Sequence, residues 1–391
     1  MSTISHLPPY FLFILVGISV FILGLIATYL CHPLAELVSF IDDPDNIRKF
    51  HDIPTPSTGG IGMAFAFSAG IALILSFAEN LLTESFYEFM YYFAAAAALI
   101  VLTGIKDDLH GLSSKPKFFM QTLASLIIVV GLHNTYFVTH SSVAGWGYGY
   151  QLILYALFAL WIVSNCNSIN LIDGVDALAG SVSLSIIVGI GSLAYLWSIV
   201  DVIPFLIPLG FAIAAFLLFN RPPASIFMGD SGSMLIGLTL AVSSIIVGLQ
   251  APHWMYGLSL IILFGMPLTD TILSIVRRLK SSMNPFESDS NHLHHVIQRY
   301  YKSPYMAVFI MTTLSTIFVI LGVLLANTSN SILFFAAYGL LLVLFLLTVA
   351  IYSYNLEKSS TFISHPSILL GQKKNGSSST SEDPPKKHIT M

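Results

Sequence analysis

Apolar runs of about 20 residues recur along this chain, at 9–30, 60–77, 86–105, 118–132, 151–164, 177–200, 203–219, 233–249, 255–276, 307–325 and 332–352. A helix of that length spans the hydrocarbon core of a bilayer, where no backbone polar group can be left unbonded. The eleven runs therefore predict an all-α polytopic integral membrane protein. Composition agrees, with 55% hydrophobic and 9% charged residues against about 25% charged in soluble domains. A soluble enzyme, a disordered chain and a disulfide-rich secreted scaffold are excluded. The first run is expected to remain as a helix, since residues 1–10 carry no Lys or Arg and the run is too long for a cleaved signal.

The scarce charges predict orientation. All sixteen Lys and Arg residues follow odd-numbered runs: Arg48, Lys49, Lys106, Lys115, Lys117, Arg221, Arg277, Arg278, Lys280, Arg299, Lys302 and five more beyond residue 352. Loops after even-numbered runs hold Glu79, Glu84, Glu88 and Asp201 and no basic residue. By the positive-inside rule the basic loops and the C-terminus are cytoplasmic and the N-terminus is outside. Residues 1–354 are expected to form the membrane domain, and 355–391, rich in Ser, Lys, Gly and Pro, a disordered cytoplasmic tail. Cys31 and Cys166 fall near the cytoplasmic face, so no disulfide is expected.

Polar residues collect in four clusters. Asp107 and Asp108 end the third run; one buried acid is tolerable there, but two need compensation, which water and Lys106 or Lys117 could supply at an interface. Between the fifth and sixth runs, Asn167, Asn170, Asp173 and Asp176 recur every third residue around Gly174, more oxygen ligands than two helix caps need. Phe227-Met228-Gly229-Asp230-Ser231-Gly232-Ser233 opens the eighth run; Asp230 there suits either a helix N-cap or a cation held beside a phosphate. The longest internal basic loop contains His292-Leu293-His294-His295 flanked by Arg277, Arg278, Lys280, Arg299 and Lys302. That setting suits phosphate oxygens better than zinc, for which no fitting cysteine partners exist. Asp270, inside the ninth run after Pro267, is either functional or a link to a neighbouring helix.

All four clusters share the predicted cytoplasmic face. Carboxylates able to hold Mg²⁺ beside cations able to hold phosphates describe metal-assisted phosphoryl transfer on a nucleotide-type substrate. A secondary transporter would also have many spans, but its acids should sit near the bilayer midplane in repeated, interrupted helices.

From Arg48 to Tyr352 the ordered motifs resemble the polyprenyl-phosphate N-acetylhexosamine-1-phosphate transferases. Pro54-Thr55-Pro56-Ser57-Thr58-Gly59-Gly60 is similar to the family's first loop, and Asp107-Asp108 with Lys115 and Lys117 to its acidic pair and following base. The stretch from Asn167 to Gly180 resembles its Asn-rich Asp-Gly motif, Phe227 to Ser233 its Phe-Met-Gly-Asp-x-Gly-Ser, and His292 to His295 its His-x-His-His loop. Pro267-Leu268-Thr269-Asp270, Arg277-Arg278-Leu279 and Met283-Asn284-Pro285-Phe286 most resemble the bacterial branch that handles N-acetylglucosamine and undecaprenyl phosphate, as does the count of eleven runs. One position departs: the family has Gly where this chain has Ala177.

The resemblance implies transfer of N-acetylglucosamine-1-phosphate from UDP-N-acetylglucosamine to undecaprenyl phosphate, releasing UMP and initiating O-antigen or common-antigen type polysaccharide synthesis at the bacterial inner membrane. Another phospho-N-acetylhexosamine, phospho-N-acetylmuramyl-pentapeptide included, is the alternative donor group. It implies a cytoplasmic active site in which Asp230, with Asp107, holds Mg²⁺ (or Mn²⁺), and Asp107 or Asp108 deprotonates or orients the lipid phosphate; a covalent aspartyl-phosphate is the minority route. Phe227 would stack on uracil, with Asn220 and Asp176 on the base; Asn170 and Asp173 would shape the sugar-phosphate pocket; Lys117, His292, His294 and His295 would contact phosphates or sugar. A homodimer is compatible with the family, and a nucleic-acid partner is not expected.

Overall fold

A computed structural model describes residues 9–37, 40–42, 54–78, 81–137, 147–253, 256–280, 292–327 and 339. The first ten apolar runs all become helices. These are α1 (Pro9–Leu37), α2 (Gly59–Phe77), α3 (Glu84–His110), α4 (Ser114–Leu132, continued by a π-turn, His133–Phe137), α5 (Tyr148–Ile172), α6 (Leu178–Leu196), α7 (Ile203–Asn220) and α8 (Gly229–Gln250). The ninth run gives α9 (Gly257–Leu263) and α10 (Gly265–Lys280); a short α11 (Leu293–Tyr301) and the long α12 (Pro304–Ala326) follow. Among the described residues nine helices are long and apolar enough to cross a membrane, or ten if the α9–α10 pair counts as one span. The chain is an all-α polytopic membrane protein. Apart from residue 339, the eleventh run lies outside the described residues, as do the expected boundary at 354/355, Arg48, Lys49 and residues 281–291.

One expected span is not straight. α9 and α10 meet at 70°. Pro267 has no N–H and its ring crowds the carbonyl four residues back, at Leu263, where α9 ends. The bend turns α10 into a helix that carries Thr269, Asp270, Thr271, Ser274, Arg277 and Arg278.

α8 is the central element. From Ser231 to Val247 its side chains are buried almost without exception, enclosed by α2, α3, α5, α6 and α7. An all-apolar helix with small residues packs this way because close backbone approach replaces the hydrophobic drive absent within lipid. Gly104 of α3 is one such contact: a Cβ there would stand 2.3 Å from Ser231 Cα. Lipid-facing positions elsewhere carry the exposed leucines, isoleucines and phenylalanines, such as Ile14, Phe119, Leu157 and Phe309.

A two-residue ribbon at the site-bearing end, β1 (Ile41–Asp42) against β2 (Thr55–Pro56), pairs Ile41 with Pro56 and Asp42 with Thr55. β2 continues into backbone bonds with the start of α8: Phe227 N–H donates to Pro56 O (2.7 Å), Gly59 N–H to Phe227 O (3.0 Å) and Gly60 N–H to Met228 O (2.8 Å). The Pro54–Gly60 motif thus frames the Phe227–Asp230 motif.

Candidate active site

Several helices run further than their apolar runs, and this places the site. α3 continues to His110, so Asp107 and Asp108 lie in its last turn; α5 continues to Ile172, so residues 165–172, expected as loop, are helical. The three-residue spacing therefore acts as helix geometry through Asn170, and the turn at residues 173–177 brings Asp173 and Asp176 to the same space. α8 starts at Gly229, so Asp230 sits in its first turn and is not the N-cap, a position held by Met228.

Asp108 supplies the cap instead. Its Oδ1 accepts the Asp230 N–H at 2.7 Å and its Oδ2 the Ser231 N–H at 3.2 Å, so a carboxylate of α3 meets the orphan donors and positive dipole end of α8. Gly229 makes room: its φ is +71°, and a Cβ there would stand 2.7 Å from Asp108 Oδ2. Asp107 faces the other way. Its Oδ1 accepts the Leu112 N–H (2.6 Å) and its Oδ2 the Lys117 ammonium (2.8 Å). Lys117 also donates to Asp230 Oδ2, while Asp230 Oδ1 accepts from Asn170 Nδ2 at 2.7 Å. Asn170 further donates to Ser233 Oγ (2.9 Å). Asp107, Asp230, Lys117 and Asn170 thus form one charge-assisted network drawn from α3, α8, α4 and α5.

This network opens on a cavity of about 1390 Å³. Every expected site residue lines it except His294. Its other lining divides by chemistry: Phe118, Leu160, Val163, Leu268, Ile272 and Ile275 give an apolar limb along α4, α5 and α10, and Ser57, Asn167, Thr271 and Gln298 add polar atoms.

His294 departs from expectation. It is 1% exposed, with Nδ1 3.4 Å from Asp270 Oδ2 and its ring centroid 4.2 Å from that of His295. It stands behind the cavity-facing His295 instead of reaching substrate space. Burial lowers the His294 pKa below the ordinary histidine value, and burial with neighbouring His294, His292 and Arg299 lowers that of His295 to about 3. Asp173 moves the opposite way: burial and the carboxylates of Asp230, Asp108 and Asp176 push it well above the usual range.

Asn220 and Asp176, expected at a base, brace the wall. Asn220 Oδ1 accepts the Ala177 N–H (2.8 Å), its Nδ2 donates to Ile226 O (2.9 Å), and Asp176 Oδ2 accepts the Ala224 N–H (2.9 Å). Both amide atoms of Asn220 are thus already bonded to backbone groups. Ala177 takes φ +63°, the left-handed region, which costs a non-glycine residue roughly 1–2 kcal/mol. Phe227 is half-buried on the cavity wall, its backbone fixed by Pro56 and Gly59.

Sequence reasoning missed Arg278 and Tyr305 as cavity residues. Leu268, Thr271, Ile272, Ile275 and Arg278 all line the cavity, and their three- and four-residue spacing along α10 was the available signal. Tyr305, whose hydroxyl donates to Pro222 O at 2.5 Å, carried none.

The donor set suits Mg²⁺. Asp107 and Asp230 point oxygens at the same ammonium, and Mg²⁺ is typically held by one or two carboxylates with substrate phosphates and water. Among the described residues no three Asp, Glu, His or Cys side chains gather as a closed metal centre, so phosphate oxygens would be needed to complete the shell.

Residues 89–248 match the family model described as "Glycosyl transferase family 4". The chain is 30% identical over 319 residues to the "Probable undecaprenyl-phosphate N-acetylglucosaminyl 1-phosphate transferase" of Bacillus subtilis (strain 168), covering 79% of this chain and 85% of that one. It is 30% identical over 368 residues to the "Undecaprenyl-phosphate alpha-N-acetylglucosaminyl 1-phosphate transferase" of Yersinia pestis (88% and 91% covered), and 26% over 352 residues to the protein of that name from Escherichia coli (strain K12) (88% and 90%).

Proposed function

The chain belongs to glycosyl transferase family 4, the polyprenyl-phosphate N-acetylhexosamine-1-phosphate transferases, and on that premise we propose that it moves N-acetylglucosamine-1-phosphate from UDP-N-acetylglucosamine to undecaprenyl phosphate. The products are undecaprenyl-diphospho-N-acetylglucosamine and UMP, and the reaction initiates an O-antigen or common-antigen type polysaccharide on the cytoplasmic face of a bacterial inner membrane. One observation carries this reading: the Asp107–Lys117–Asp230–Asn170 network sits in the same cavity as an apolar limb along α4, α5 and α10. Phosphates need the first and a polyprenyl chain the second.

An oxygen of the lipid phosphate attacks the β-phosphorus of the donor; the bond from that phosphorus to the bridging oxygen breaks, and UMP departs with the oxygen. Near pH 7 the lipid phosphate is already a competent nucleophile, so a base removes at most its last proton. Both oxygens of Asp108 accept α8 N–H groups and Asp107 Oδ1 accepts the Leu112 N–H, so the oxygen that can turn to the lipid phosphate is Asp107 Oδ2, once Lys117 releases it. Lys117 can exchange a carboxylate for a phosphate oxygen, and His292 and His295 flank the same cavity. Asp230 and Asp107 would hold Mg²⁺, which would neutralise diphosphate charge when bound.

The test is UMP release by purified protein from a panel of UDP-N-acetylhexosamines with undecaprenyl phosphate. UDP-N-acetylglucosamine should be the fastest donor, Asp230→Asn should lower turnover at least about 100-fold, and Mg²⁺ removal should abolish it. Unchanged turnover in Asp230→Asn sinks the site; uptake of donor into vesicles without UMP favours a transporter.

A further inference from the structure

Asp270 stands outside the network that handles the phosphates, yet it is 0% exposed, on the bent helix α10. Its two oxygens have different neighbours. Oδ1 accepts the Leu293 N–H at 2.7 Å, the first N–H of α11, whose own N-cap residue His292 makes no side-chain cap bond. A cap needs no more than that one oxygen. Oδ2 faces two imidazoles instead, with His292 Nδ1 at 3.3 Å and His294 Nδ1 at 3.4 Å. The rings of His292 and His294 stack with centroids 5.4 Å apart and planes 11° apart, so one carboxylate oxygen lies within ion-pair distance of both.

We infer that Asp270 is a positioning residue for the histidine loop, turning Nδ1 of His292 inward so that Nε2 is the ring nitrogen left to meet the donor's diphosphate or sugar. Ser274, one turn along α10, reinforces the same orientation, its Oγ 3.0 Å from His292 Nδ1 and itself accepting from Arg277 Nη2 at 3.1 Å. The second cavity-facing imidazole is backed indirectly: Asp270 holds His294, and His294 packs on His295. Across the ring pair the chain has Gly174, where a Cβ would stand 3.0 Å from His294 Nε2. Two helices, α10 and α11, thereby set ring orientation at a site neither could form alone. A histidine whose far nitrogen is held by a carboxylate has its tautomer and direction fixed, and at metal-bound histidines loss of such a partner costs about 10–100-fold.

The inference rests on the proposed transfer reaction, and its test has one arm that does not. In the first arm, UMP release is measured for wild type, Asp270→Asn, His292→Ala and the double variant. Asp270→Asn keeps an oxygen for Leu293 N–H, so kcat should fall at least about tenfold while KM for UDP-N-acetylglucosamine stays within about threefold. The double variant should lose less than the product of the two single losses, because part of the carboxylate's effect passes through that ring. A rate for Asp270→Asn within twofold of wild type, or losses that multiply in the double variant, overturns the inference. In the second arm, carbethoxylation of His292 and His294 by diethyl pyrocarbonate is followed by peptide mass spectrometry. Both should react at least fivefold faster in Asp270→Asn, and equal rates overturn the inference even if wild type releases no UMP and the transfer reading itself fails. Should Asp270→Asn not fold, Ser274→Ala carries both arms: slower turnover with faster His292 modification supports the inference, and wild-type values for both overturn it.

Discussion

Asp173 shows how a single side chain records the conflict between folding and function at this site. Its proton is held more tightly in the folded protein than in the unfolded chain, whose value is near 3.8, because burial and three neighbouring carboxylates disfavour the charge. Stability from this group is therefore fully present below about pH 3.8 and is lost as pH rises through the folded value, at up to about 1.4 kcal/mol per pH unit within that window. Asp173→Asn removes the titration. Its thermal midpoint in detergent should exceed that of wild type at pH 7.5, the gap should close as pH approaches 4, and turnover should fall because the residue lines the cavity. A gap independent of pH would contradict the assignment. The same conflict at Ala177 takes a conformational form, where a left-handed backbone is kept so that its N–H reaches Asn220 Oδ1.

Among elements, the pairing of α3 with α8 carries most of the geometry. The two helices are tied at both ends. At the site end Asp108 caps α8; at the far end Asp201, 0% exposed, accepts from Thr83 Oγ1 (2.8 Å) and Thr83 N–H (3.3 Å) at the start of α3 and from Gln250 Nε2 (3.4 Å) at the end of α8. Asp201→Ala leaves these half-buried donors without that acceptor and should cost about 1 kcal/mol. It should appear as a lower thermal midpoint in detergent with turnover per folded molecule nearly unchanged; an unaltered midpoint would show that the tie is dispensable. Sequence alone placed Asp201 on a loop, because hydropathy reports where a chain leaves the apolar layer and not what then folds over it. The same limit explains α5. Asn165, Asn167 and Asn170 end the apolar run but not the helix, since an amide can bond within the bundle, as Asn167 does to Gln121 Oε1 at 2.7 Å.

For the whole molecule, spans and clusters were legible because bilayer length and residue scarcity are local properties. Ten of the eleven runs could be followed into described helices, and eleven of the twelve expected site residues line one cavity. The remainder depends on pairings remote in sequence: the α9–α10 bend, the bracing roles of Asn220 and Asp176, and the retreat of His294 behind His295. None leaves a periodic trace. The central claim is that this cavity transfers a sugar together with its phosphate, and that claim can be followed by isotope. Purified protein would be given UDP-N-acetylglucosamine carrying ³²P in the β-phosphate and ³H in the sugar, with undecaprenyl phosphate and Mg²⁺. The account predicts that ³²P and ³H enter the lipid phase in equal amounts, matched by unlabelled UMP in water. Tritium in the lipid with ³²P left behind in aqueous UDP would contradict it.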